Sequence, residues 1–138
     1  MSRENSLVEA ATRYLAGQPD VTAAYVFGSV ARGRDRPDSD LDVAVLFAPG
    51  TGDKLARFDR RLELEIALEK IVRRPVQVVD LVAAPLFLQH QVRKYGRLVV
   101  DKDRARRISF EVGSRRRYFD MQRVYRRRAA ALYRKLGI

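Results

Sequence analysis

The sequence contains no cysteine, and His90 is its one histidine. The first absence excludes disulfides, zinc–thiolate sites and thiol nucleophiles, and a single histidine cannot build a histidine-rich metal site. A metal held by this chain is held by oxygen ligands. Acidic residues are outnumbered: 17 Asp and Glu stand against 28 Lys and Arg, for a formal net charge of +11. The excess is uneven, because residues 101–138 hold 13 Lys or Arg and 4 Asp or Glu, a net of +9, which leaves +2 for residues 1–100. An anionic partner is therefore expected at the C-terminal end. Long hydrophobic runs are missing as well. Met1 to Asp20 mixes charged and apolar residues without the unbroken apolar stretch of a signal peptide, and nothing elsewhere approaches a membrane span. A cytoplasmic location with no membrane contact is the expectation. At 138 residues the chain is expected to form one domain around a single core.

Two short runs carry the chemistry. Phe27-Gly28-Ser29-Val30-Ala31-Arg32-Gly33 follows an apolar strand, and Asp40-Leu41-Asp42 heads another. A tight Gly-Ser turn exposes backbone N–H groups and a small hydroxyl to a phosphate chain, and the start of a short helix behind it favours negative charge. Carboxylates at i and i+2 on a strand point to the same face, so Asp40 and Asp42 can share divalent cations lying over phosphates. Each run alone is a common β-turn or a solvated strand end. Together, in one strand–turn–strand context, they read as a metal-dependent nucleotidyl-transfer site. Arg32, one turn beyond Ser29, is placed to pair with phosphate oxygens or departing pyrophosphate, with a solvated surface arginine as the alternative. Ser39 shapes the turn into the strand by bonding to nearby backbone, and is grouped with Gly28, Ser29 and Arg32 as nucleotide-binding on that account.

The remaining pattern supplies a framework. Leu7, Ala11, Tyr14 and Leu15 fall at helical spacing, closed by Gly17 and Pro19, which predicts an amphipathic helix over 4–16. Ala23 to Phe27 and Leu41 to Phe47 read as strands, with Leu41, Val43, Val45 and Phe47 facing opposite to Asp40, Asp42 and Ala44. The intervening Arg34 to Asp38 is a polar, proline-broken surface loop. Leu55, Phe58, Leu62, Ile66 and Leu68 to Ile71 mark a long helix ending before Pro75, and Val76 to Leu81 a third strand. Asp80 near its end is either a site ligand or a carboxylate at a solvated strand end. Pro85 opens a helix to about Lys94, Gly96 ends it, and Leu98 to Val100 forms a short strand. His90, within that helix, receives no role. From Asp103 onward the chain reads as helical and arginine-rich, with a break at Gly113-Ser114. The order α-β-β-α-β-α-β-α gives an α/β (α+β) fold: a small mixed sheet flanked by helices. Residues 1–102 are expected to form the catalytic domain, and 103–138 an arginine-rich helical tail packed on it or extending from it.

The run from Gly28 to Gly33 with Ser39-Asp40-Leu41-Asp42-Val43-Ala44-Val45 resembles the polymerase-β-like nucleotidyltransferase superfamily, and within it the minimal nucleotidyltransferase (MNT) branch. The resemblance covers about residues 20–100. It implies that Asp40 and Asp42 bind two magnesium ions and that Asp80 supplies a third carboxylate, making these three the catalytic and metal-binding set. That branch includes antitoxins that work beside HEPN-family ribonuclease toxins, and the similarity implies transfer of AMP from ATP to a tyrosine of such a toxin. The chain is too short for a separate acceptor-binding domain, so the acceptor is expected from outside. Alternative readings keep the transfer chemistry but change the acceptor to a small molecule or an RNA end, or keep the fold as a non-catalytic antitoxin that neutralises by binding. The basic tail adds a surface that RNA can contact.

Overall fold

The strands form where β-branched residues run together. The computed structural model describes residues 3–31, 33 and 39–137, with Arg3, Glu4, Asn5 and Ser29 described for their backbone only. Its elements are α1 (Arg3–Ala16), β1 (Val21–Phe27), α2 (Gly28–Ala31), β2 (Leu41–Phe47), α3 (Lys54–Val72), β3 (Val76–Asp80), α4 (Leu86–Tyr95), β4 (Arg97–Asp101) and α5 (Arg104–Leu136). One sheet has the order β3-β2-β1-β4. β1 pairs antiparallel with β2 and β4, and β2 pairs parallel with β3, so the sheet is mixed as expected. The two central strands are buried almost throughout, so both their faces must be covered.

Alternation along the strands sends side chains into two separate cores. Leu41, Val43, Val45 and Phe47 pack with Val8, Ala11 and Leu15 of α1 and Leu64 and Leu68 of α3. Ala44 and Leu46 pack on the other face with Tyr25, Val79, Leu81 and Val92 of α4, joined by Phe110 of α5. The phase of β2 inferred from the sequence is thus the one observed.

Helix α3 begins at Asp53, whose carboxylate accepts the Ala56 N–H at 2.9 Å. Its buried residues are Leu64 and Leu68, so of the residues that marked the helix in the sequence Leu68 is buried, while the stripe 55-58-62-66 is not. Leu55 and Ile66 are 70% and 56% exposed. The reason lies in a polar row at every fourth residue, 57-61-65-69, which runs along the edge strand β3. Glu69 Oε1 accepts the Val76 N–H at 3.2 Å, Glu65 Oε1 accepts the Val78 N–H at 2.9 Å, and Arg61 Nη1 donates to the Val78 carbonyl at 3.1 Å. Arg57 completes the row on Asp80. An unpaired strand edge is a template for aggregation, and this helix covers it with side-chain partners. Turning that row toward β3 leaves the 55-58-62-66 stripe outward.

Gly113 and Ser114 do not break α5, which is continuous for 33 residues, roughly 50 Å at 1.5 Å per residue. Ser114 instead packs α5 on α4. Ser114 is fully buried; its hydroxyl donates to Gln89 Oε1 at 2.7 Å and accepts from Arg93 Nε at 3.0 Å. Gln89 Nε2 in turn donates to the Leu81 and Ala84 carbonyls. His90 stacks on Tyr118 with ring centroids 4.0 Å apart. Further along, the helix is exposed from Arg123 to Gly137 except at half-buried Ala129. No described helix is long and apolar enough to cross a membrane.

The two stripes of α3 are expected to respond differently to truncation. Leu68→Ala should destabilise by about 2–5 kcal/mol, the cost of a cavity in a closed core, while Ile66→Ala should stay within about 0.5 kcal/mol. Urea denaturation of the two variants measures this directly.

Candidate active site

The site stands where β1 ends. Gly28 follows Phe27 with φ +75°, a conformation that L side chains rarely adopt, and a Cβ placed there would overlap Asp42 Oδ2. In the β1–β2 register Phe27 lies opposite Asp42. The glycine turn and the acidic strand are therefore in contact, and only glycine allows it. Ser29 lies in α2, the single turn that leaves Gly28, and the Gly33 N–H closes that turn on the Val30 carbonyl at 3.2 Å. Arg32 and the loop from Arg34 to Asp38 lie outside the described residues. The Ser39 carbonyl accepts from Arg74 Nη1 at 3.4 Å, which ties the approach to β2 to the loop before β3.

Asp40 is exposed and Asp42 half-buried. Burial, and then the neighbouring Asp40 charge, push the Asp42 carboxyl above the usual carboxylate range. Two like charges on one face beside a glycine turn suit a hard cation shared with phosphate oxygens. Magnesium is commonly bound by one or two carboxylates plus substrate phosphates, so the Asp40–Asp42 pair fits one such ion.

Asp80 does not join this pair, which corrects the reading of it as the third carboxylate. In the β2–β3 register Asp80 pairs with Val45, three residues beyond Asp42, or roughly 10 Å along the strand. It also has the parity of Val76 and Val78, whose side chains enter the α1/α3 core, whereas Asp42 shares the face of Ala44 and Leu46. The carboxylate is instead bound within the fold. Arg57 Nε donates to Oδ2 at 2.9 Å and the Val82 N–H to Oδ1 at 3.2 Å, with the side chain only 10% exposed. Among the described residues no group of three or more His, Asp or Glu is placed to hold a metal ion.

Residue 77 is the one that sequence reading passed over. Gln77 pairs with Asp42 in the parallel register, so the two side chains leave the same face of adjacent strands about 4.8 Å apart at the backbone. Gln77 is exposed while its neighbours Val76 and Val78 are buried. A polar residue interrupting an apolar strand was the available signal, but a glutamine carries no charge to draw attention.

Comparison with known proteins gives the family of the chain. The family model described as polymerase beta, nucleotidyltransferase, matches residues 9–105, from α1 to the start of α5. The protein adenylyltransferase MntA of Shewanella oneidensis is 37% identical over 79 residues, which cover 57% of this chain and 53% of that protein. The chain thus spans about half the length of that curated relative. A chain in the crystal structure of a toxin–antitoxin with AMP-PNP superposes with a TM-score of 0.64 at 27% identity, covering 98% of both chains. A chain in the structure of the tri-AMPylated Shewanella oneidensis HEPN toxin in complex with MNT antitoxin gives 0.59 at 25% identity, covering 99% of this chain and 97% of the other.

Two substitutions separate the roles of the carboxylates. Because the folded state holds the Asp42 carboxyl above its unfolded value, its charged form opposes folding at neutral pH, and that cost fades as pH falls through the raised value. Asp42→Asn should therefore raise the melting temperature at pH 7 while removing magnesium-dependent nucleotide binding. Asp80→Asn should do the reverse, lowering stability by about 1–3 kcal/mol through loss of the charged Arg57 pair and leaving nucleotide binding intact. Thermal melts and nucleotide titrations on the same preparations distinguish the two; loss of nucleotide binding in Asp80→Asn would restore it to the site.

Proposed function

The chain belongs to the polymerase beta nucleotidyltransferase family, and from that premise we propose that it is a protein adenylyltransferase, the antitoxin of a HEPN toxin pair. The observation that carries the reading is the contact between Gly28 and the Asp42 carboxylate, with Asp40 beside it. Similarity to MntA, and to chains of toxin–antitoxin structures that include AMP-PNP or an AMPylated toxin, supports the choice of ATP and of a protein acceptor. The reaction is attack by an acceptor hydroxyl, here a tyrosine of the toxin, on the α-phosphorus of ATP in line with departing pyrophosphate. Magnesium, when bound, offsets the phosphate charge and helps to position the triphosphate.

The residues divide the work. Asp40 and Asp42 would hold the divalent ion that accompanies ATP. The Gly28–Ser29 turn brings backbone N–H groups to the phosphates, and Gly28 lets the chain approach without a side chain in the way. Arg32 pairs with phosphate oxygens, and Ser39 sets the approach of β2. The acceptor enters from outside, over the exposed end of the sheet where Asp40 and Gln77 lie. Residues 1–102 form the catalytic unit, which works in the cytoplasm.

The tail, residues 103–138, docks the protein partner. Its outer part interleaves Arg126, Arg127, Arg128 and Arg134 with exposed Val124, Tyr125, Leu132, Tyr133 and Leu136. A phosphate backbone needs the charges alone, whereas aromatic and aliphatic side chains among arginines suit a protein interface. That mixture favours the toxin over RNA as occupant of the tail.

Incubation of the chain with magnesium, one of the four nucleoside triphosphates, and a HEPN-family toxin tests the proposal by intact mass. ATP should add one or more AMP units to the partner, and none when Asp42 is Asn. Labelling of a small molecule or RNA end instead would replace the acceptor but keep the chemistry. Changing Arg126, Arg127 and Arg128 together to Gln should weaken partner binding and flatten its salt dependence while ATP affinity stays constant.

A further inference from the structure

The transferase chemistry proposed above is usually served by two ions about 3.5–4 Å apart, one at the attacking oxygen and one at the triphosphate. Phosphate oxygens help to hold the ion at the triphosphate, whereas the ion at the attacking oxygen depends more on carboxylates of the protein. Of the two cross-strand neighbours of Asp42 on that face, Phe27 on β1 is apolar and the other, Gln77 on β3, is polar but neutral. The candidate for the missing charge, Asp80, is on the opposite face, satisfied by Arg57 and the Val82 N–H.

We infer that Gln77 sets the ion count of this site: with an amide where a third carboxylate belongs, the protein binds a single divalent ion together with the nucleotide. This rests on the nucleotidyltransferase reading and adds to it. The amide oxygen can still accept a hydrogen bond or meet a cation weakly, but the site carries two negative charges in place of three. Asp40 and Asp42 would hold the Mg²⁺ that accompanies the triphosphate. The attacking hydroxyl receives no second cation from this chain. Its activation then depends on its own acidity, which favours a phenolic hydroxyl over an aliphatic one, because the tyrosine side chain ionises near pH 10. The position of Gln77 on the edge strand, exposed and beside Asp42, also makes it tolerant of substitution.

The test counts ions rather than turnover. Free Mn²⁺ is measured by electron paramagnetic resonance as the full chain is titrated in the presence of a saturating, non-hydrolysable ATP analogue. Wild type should bind one Mn²⁺ per chain, and Gln77→Asp should bind two, the second at least about tenfold tighter than any second ion of wild type. Gln77→Glu covers the case in which the shorter carboxylate falls short of the ion. Asp80→Asn should leave the wild-type count at one. Two ions in wild type, a count of one in both Gln77 variants, or a lost ion in Asp80→Asn each overturns the inference while leaving the transferase reading standing. No Mn²⁺-dependent nucleotide binding in any of these proteins overturns both together. Preference for a phenol is read separately, as transfer to a tyrosine peptide against its serine counterpart: wild type should favour tyrosine, and Gln77→Asp should narrow the gap.

Discussion

The structure depends on one steric fact, that the Asp42 carboxylate occupies the space where a side chain on residue 28 would be. Because Gly28 has none, β1 can turn directly over the head of β2, and a phosphate-accepting turn meets a pair of carboxylates. The contact costs free energy in the metal-free protein, since Asp42 is half-buried beside a like charge. A cation with a triphosphate relieves both burdens at once. Functional sites often hold such local frustration, and here it has a stated source in two side chains and one missing Cβ.

The rest of the fold keeps that end of the sheet open and covers both faces and the β3 edge. Helices α1 and α3 cover one face, and α4 with the first turns of α5 covers the other. The edge strand β3 is protected by the 57-61-65-69 row of α3, which uses Asp80 as its last partner. A carboxylate used in this way cannot also serve the opposite face. The division explains how a strand can carry an acidic residue that looks catalytic and yet serves the packing of a helix.

Much of this was legible in the residues. The Gly28 turn and Asp40/Asp42 lie only a dozen residues apart, so one hairpin-like unit had to bring them together, and the alternation of Leu41 to Phe47 settled which face the carboxylates share. The mixed sheet also follows from element order. What stayed hidden depended on pairing between distant segments. Whether residue 77 or residue 80 lies beside Asp42 is decided by the parallel register of β2 and β3, and a strand's own pattern does not contain its neighbour's register. The same applies to α3, where two apolar stripes compete and the polar row that chooses between them has its partners on β3. Gly113 and Ser114 look like a break because small residues often are, but Ser114 is buried against Gln89 of α4 and the helix runs on.

The central claim is that Asp40 and Asp42 with the Gly28 turn form a site for a metal–nucleotide unit, with neither component bound well alone. Its most direct measurement is the melting temperature of the chain with magnesium, with an ATP analogue, and with both. Ligand at about 100 times its Kd stabilises by about 2.7 kcal/mol. The account predicts that the combined shift far exceeds the sum of the separate ones and disappears in Asp40→Asn. Equal shifts with the analogue in the presence and absence of magnesium, or a shift that survives in Asp40→Asn, would contradict it.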